Sequence, residues 1–141
     1  MYLDSVIVMS RNDGTLHQYD FGGAELAAVA TGYLPGQGVA TDGTNLFVSV
    51  WDGFVSRILE YDAALVFVTE HANPSGMSGD NLTDMVYDGR TDTWWGMDVS
   101  GDGGTGTNTS TLVEFTGPGG IVLGSEVLLY AIDGIGLNAC P

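Results

Sequence analysis

The chain contains no lysine, and its only fixed cations are Arg11, Arg57 and Arg90, set against 18 acidic residues for a formal net charge of −15. Proteins that hold nucleic acid neutralise phosphates with Lys and Arg, so this balance argues against a nucleic-acid partner. It argues equally against attraction to anionic lipid. Strong negative charge without lysine suits a protein kept soluble in saline surroundings. There is one cysteine, Cys140, so no intrachain disulfide can form; it reads as a small buried hydrophobe, an exposed tail thiol or a bridge across a dimer axis. His17 and His71 stand far apart with no His/Cys cluster, and no zinc site of the usual spacing is visible. No apolar run approaches the roughly 20 residues that span a bilayer, and the start, MYLDSVIVMS, lacks the cationic region and longer apolar stretch of a signal peptide. The expectation is a chain neither membrane-inserted nor signal-secreted; its location is left open, with a virion or the cytoplasm favoured over signal-dependent secretion. G-x-S-x-G, H-E-x-x-H and a Lys-bearing phosphate loop are all missing. Gly101 to Gly106 does satisfy G-x-G-x-x-G, but without the following helix and βαβ setting that give the motif meaning. It reads as a loop, and no enzyme is expected.

What is present is turns and short apolar runs: 22 glycines and 44% hydrophobic residues. From Gly38 to His71, runs of Val, Phe, Leu, Ile and Tyr alternate with the turn pairs Asp42-Gly43, Asp52-Gly53 and Asp62-Ala63. That is the pattern of consecutive antiparallel hairpins. Leu46 to Trp51 and Phe54 to Tyr61 are apolar almost throughout, as expected where both faces of a sheet are covered. The unit repeats. Asp-Gly recurs at Asp42-Gly43, Asp88-Gly89 and Asp133-Gly134, about 45 residues apart. The second half recurs as Gly14 to Thr31, Phe54 to Thr69 and Ser110 to Val127, with Tyr19, Tyr61 and Phe115 in one equivalent place. The alanine-rich Ala24 to Ala30 is read as a strand because the repeat requires one there.

On these residues the chain resembles a β-propeller with NHL-like repeats, whose unit runs from an Asp-Gly turn through apolar strands to a Tyr/Phe-Asp end. The resemblance covers nearly the whole chain and implies an all-β domain, residues 1–141, of antiparallel four-stranded blades, three per chain. Blade one is expected over about 2–31, blade two over about 38–71, blade three over about 82–127, and a closing strand over about 129–137. Gly32 to Gly38 reads as the link to blade two, and Ser100 to Ser110 as a long insertion in blade three. Blade one lacks its first strand, and the tail, with Asp133-Gly134, matches that strand, so the N- and C-terminal strands would share a blade. Propellers typically have four to eight blades; two chains would give six. The expected partner is therefore a second copy in a six-bladed, two-fold dimer, and the alternative is an open arc completed by a different protein or a larger assembly.

Candidate sites are few. Asp88 and Asp92, and Asp98 with Asp102, place carboxylates four apart in loops, where hard cations draw their oxygens. The competing reading is that Asp-Gly simply builds the turns. No cofactor is otherwise expected; Ca²⁺ is the exception these residues would admit. Asn81-Leu-Thr83 and Asn108-Thr-Ser110 match the glycosylation pattern and read as polar loop. Trp51, and Trp94 with Trp95 on opposite sides of one strand, are candidates for recognition; exposed tryptophan near Arg57 and Glu60 would make a sugar-binding platform. The positions equivalent to Arg57 are Thr15 and Thr111, so that constellation does not repeat, and packing between blades is the other role open to the tryptophans. Two classes of function remain: a non-catalytic assembly scaffold, such as a structural or decoration component of a virus particle, and a lectin-like carbohydrate-binding module. The first is favoured by apolar outer strands, Leu65 to Thr69 and Ile121 to Gly124, that no lysine protects.

Overall fold

The computed structural model of the chain describes residues 5–77, 81–100 and 109–128. They form antiparallel sheets and no helix. Sheet 1 is β1 (Ser5–Ser10), β2 (Thr15–Asp20) and β3 (Glu25–Ala30). Sheet 2 is β4 (Gly36–Thr41), β5 (Leu46–Trp51), β6 (Ser56–Tyr61) and β7 (Phe67–Ala72). Sheet 3 is β8 (Leu82–Asp88), β9 (Thr93–Ser100), β10 (Thr109–Phe115) and β11 (Val122–Leu128). In every sheet the strands lie side by side in chain order. Aspartate starts the turns: the Asp42 and Asp52 Oδ1 atoms each accept two backbone N–H bonds, from Thr44 and Asn45 and from Phe54 and Val55. The glycine that follows takes the left-handed conformation, with φ of +91° at Gly43 and +99° at Gly53, which a side chain would oppose.

The sheets stack in series. Leu46, Val48 and Val50 of β5, with Leu59 and Tyr61 of β6, pack on Ile7, Met9, Leu16, Ala27 and Val29 of sheet 1. The other face of sheet 2, with Ala40, Phe47 and Ile58, packs on Leu82, Met85, Trp94, Val113 and Phe115 of sheet 3. Sheet 2 is thus covered on both faces, which is why β5 reads as a continuous apolar run instead of an alternating one. The first strands β4 and β8 run against one another, and β1 approaches β4. Gly38 makes that approach close: a Cβ there would stand 2.6 Å from the Asp84 Cα. Buried polar groups along this line are partnered, with the Gly38 N–H donating to Ser49 Oγ at 2.7 Å and the Leu82 N–H to Ser56 Oγ at 2.9 Å. Among the described residues the series is open, and no closure into a ring is seen.

Most expected strands are present, β3 included, but several boundaries differ: β9 ends at Ser100 and β10 begins at Thr109, inside the segment read as an insertion, and the outer strand read over Ile121 to Gly124 is β11, Val122–Leu128. β4 begins at Gly36, inside the segment read as a link. The outer strand expected over Leu65 to Thr69 runs instead from Phe67 to Ala72. Leu65 belongs to the turn, with φ +58°, and its side chain is buried against sheet 1. An apolar residue that looked like strand is a plug in the core. The closing strand at about 129–137, Asp102, Asn108 and Cys140 lie outside the described residues. No helix of the described residues is long and apolar enough to cross a membrane.

Candidate binding cleft between sheets 1 and 2

The seam between sheets 1 and 2 is closed near the inner strands and open near the outer ones. There, a cleft of 320 Å³ is lined on one side by Val29, Ala30, Thr31 and Tyr33 and on the other by Leu59, Tyr61, Phe67 and Glu70. Strand alternation sets these positions. Val48 pairs with Leu59, Val50 with Arg57, and Leu59 with Glu70, so Leu59, Tyr61, Arg57 and Glu70 all face sheet 1. Tyr61 and Phe67 meet edge to face with centroids 5.8 Å apart.

One rim carries a chain of polar contacts. The Tyr33 hydroxyl donates to Glu70 Oε2 at 2.7 Å, Arg57 Nη1 stands 3.5 Å from Glu70 Oε1, and Arg57 Nε donates to Asp52 Oδ2 at 2.9 Å. Tyr33 therefore latches the link after sheet 1 to the outer strand of sheet 2. The hydrogen bond that the hydroxyl donates to the Glu70 carboxylate raises the Tyr33 pKa, with desolvation adding to the effect. Burial raises that of Tyr61. Asp52 lies below the usual carboxylate value because the Val55 and Phe54 N–H groups, and then Arg57, favour its charged form. Arg57 also borders a second hollow of 260 Å³, with Val55, Ser56, Ala72, Asn73, Pro74, Gly76 and Met77. The cleft lining includes no histidine, cysteine or serine; its hydroxyls are those of Thr31, Tyr33 and Tyr61, and that of Tyr33 is hydrogen-bonded to Glu70. Aromatic walls beside a carboxylate and a guanidinium suit a ligand with an apolar face and hydroxyl groups.

The structure distributes the expected site residues differently. Trp51, Arg57 and Glu60 do not converge. Arg57 and Glu60 are three apart on one strand and so face opposite sides, Arg57 toward sheet 1 and Glu60 toward sheet 3. Trp51 shares Glu60's face but pairs with Ser56, while Glu60 pairs with Phe47. Four residues along a strand separate them, about 13 Å. Glu60 is engaged by His71 Nε2 at 2.7 Å and by the Asn45 side-chain amide. Trp94 is 5% exposed and packs with Phe47 at 4.7 Å, Tyr87 at 5.2 Å and Phe115 at 6.5 Å. It is core, whereas Trp95 lies half-buried on the opposite face of β9, as the spacing implied.

The acidic residues are dispersed as well. Asp88 holds Arg90, by Nη2 at 2.9 Å and by its backbone N–H at 2.9 Å, and this ion-paired carboxylate is pulled down to about 2. Asp92, with φ +55°, accepts the Tyr87 hydroxyl at 2.8 Å. Asp98 is buried near the other end of β9, on the opposite face from Asp88. The described residues hold no group of three or more residues able to bind a metal ion. Sequence reading missed Tyr33, Phe67 and Glu70, because Tyr33 and Glu70 are 37 residues apart and nothing local marks their meeting.

Fold and cleft together define an all-β protein of stacked antiparallel sheets with a groove in one seam. No protein-family model matches the chain, and no curated protein aligns with it.

Proposed function

We propose that the chain is a non-catalytic assembly protein, a propeller-like scaffold whose partners are other protein surfaces, as in a structural or decoration component of a virus particle. The observation that carries this reading is the apolar character of the outer strands. Val66, Phe67 and Val68 beside sheet 2, and Ile121, Leu123 and Val127 of sheet 3, are exposed with no lysine beside them. Exposed apolar edges are normally blunted by lysine or covered by a partner. The propeller reading is supported by the serial stacking and by β4 lying along β8, as when sheets radiate from one axis. Among the described residues sheet 1 has no strand equivalent to β4 and β8, and the sequence of residues 129–137 carries the matching pattern. Two copies sharing strands would give six blades. Native mass at two salt concentrations tests this. Twice the 14.8 kDa chain is expected; a monomer at both would overturn the dimer.

The cleft favours a second reading, carbohydrate binding. Arg57 partly neutralises Glu70, so a neutral polyol with an apolar face gains more there than an organic cation. Isothermal titration against oligosaccharides, with Phe67→Ala and Glu70→Gln variants, decides it. Saturable binding lost in both variants supports the reading, and binding unchanged in both removes it.

A further inference from the structure

Strand register reveals two kinds of sheet face, and among the described residues one of each lacks a partner sheet. Tyr19 pairs with Val6, Tyr61 with Leu46 and Phe115 with Trp94, which aligns the three sheets position by position. Leu46 and Val48 of sheet 2 face sheet 1, and their equivalents Trp94 and Gly96 of sheet 3 face sheet 2. Each of these sheets therefore turns the same face to the sheet before it. In sheet 1 the equivalent residues are Val6 and Val8, and they are 44% and 45% exposed beside Tyr19 and His17. The opposite face shows the complementary pattern. Leu16 of sheet 1 and Ile58 of sheet 2 occupy one position, and both are fully buried against the following sheet. Their equivalent in sheet 3, Leu112, is only half-buried, as is Trp95, the equivalent of Phe47; Met97 between them is already buried.

We infer that the face of sheet 1 bearing Val6 and Val8 docks on the face of sheet 3 bearing Trp95 and Leu112 in a second copy of this chain. The contact continues the stacking seen twice inside the chain, with Val8 seated where Val48 and Gly96 sit in the internal seams. It deepens the assembly reading above and rests on it. Each copy carries one face of each kind, so two copies make the contact twice and close, while a rotation that did not close would yield a filament.

The test uses the full chain with Cys140→Ser, carrying Val8→Cys and Leu112→Cys together or singly, under mild oxidation. A covalent dimer from the double variant alone is expected. In parallel, Val8→Arg, at an exposed position, is expected to shift the native mass from two chains to one while the β-sheet circular dichroism stays unchanged. A wild-type dimer that neither cross-links nor responds to Val8→Arg overturns this pairing of faces and leaves the dimer standing. A wild-type monomer overturns both. A polydisperse wild type that Val8→Arg renders monomeric supports the pairing and replaces the closed dimer by an open filament.

Discussion

The two internal seams are built from equivalent positions yet end differently. Between sheets 2 and 3, Phe47, Trp94 and Phe115 form a continuous aromatic contact, and Gly96 gives up its side chain to make room. A Cβ at Gly96 would stand 2.5 Å from Leu82 Cδ1 and 3.0 Å from Phe115 Cε1. Between sheets 1 and 2 the position of Trp94 is held by Leu46. The outer strands differ in the same direction. His71, held by Glu60, faces sheet 3, whereas the equivalent residue facing sheet 2 is Val29. Less bulk leaves the 320 Å³ cleft, spanned at its rim by the Tyr33 to Glu70 bond. One backbone arrangement thus gives a structural seam or a ligand-sized groove according to side-chain volume at two or three positions.

The largest effect should come from emptying the filled seam. Trp94→Ala removes a 5% exposed indole that touches three other aromatic rings, and the loss expected for such a truncation is about 3–5 kcal/mol. Leu46→Ala, at the equivalent place in the looser seam, should cost about 2–3 kcal/mol, because a site beside an open cleft collapses more easily. Urea denaturation of both variants measures the difference. Equal losses would show that the seams are energetically alike despite their unequal filling.

What the sequence made legible follows the same division. The apolar run at Leu46 to Trp51 appeared as β5 at its exact bounds, since hydrophobic pattern and Asp-Gly turns are local signals. The opposed faces of Trp94 and Trp95 followed from strand period alone. The grouping of Trp51, Arg57 and Glu60 did not survive, although the same period, applied to positions 57 and 60, already separates them. Leu65 looked like strand because turn residues with buried side chains carry no distinctive pattern. The cleft was illegible for a different reason: its walls come from neighbouring repeats, and pairing of Tyr33 with Glu70 depends on how sheets stack, which periodicity within one sheet does not encode.

A smaller effect should separate the latch from the packing. Tyr33→Phe keeps the ring in the cleft wall and deletes the bond to Glu70. The contact is partly exposed, so the stability change should stay near 1 kcal/mol or below, and the seam between sheets 2 and 3 should not respond. Hydrogen exchange resolved by segment tests this: β3 and β7 should exchange faster, with β9 unchanged. Uniform acceleration across all strands would mean that the two seams unfold as one unit.

The smallest effect concerns acid, and it lies away from both seams. Asp88 sits on the face of sheet 3 turned from sheet 2, and its carboxyl falls from the ordinary 3.8 to about 2 through Arg90. A carboxylate depressed in the folded state contributes stability that is complete above its unfolded value and is lost as pH falls through the folded one. For Asp88 that window runs from about pH 4 down to about pH 2. Arg90 is exposed, so screening keeps the contribution small. Asp88→Asn should therefore flatten the melting temperature against pH in that window relative to the wild-type chain. Asp52, lowered by backbone N–H groups and Arg57, remains in the variant, so an acid-dependent loss should persist in β6 and the cleft rim. If the variant's curve superimposes on that of the wild type from pH 5 to pH 2, the turn of sheet 3 carries no acid sensitivity, and the loss belongs to other carboxylates, Asp13 and Asp52 among them.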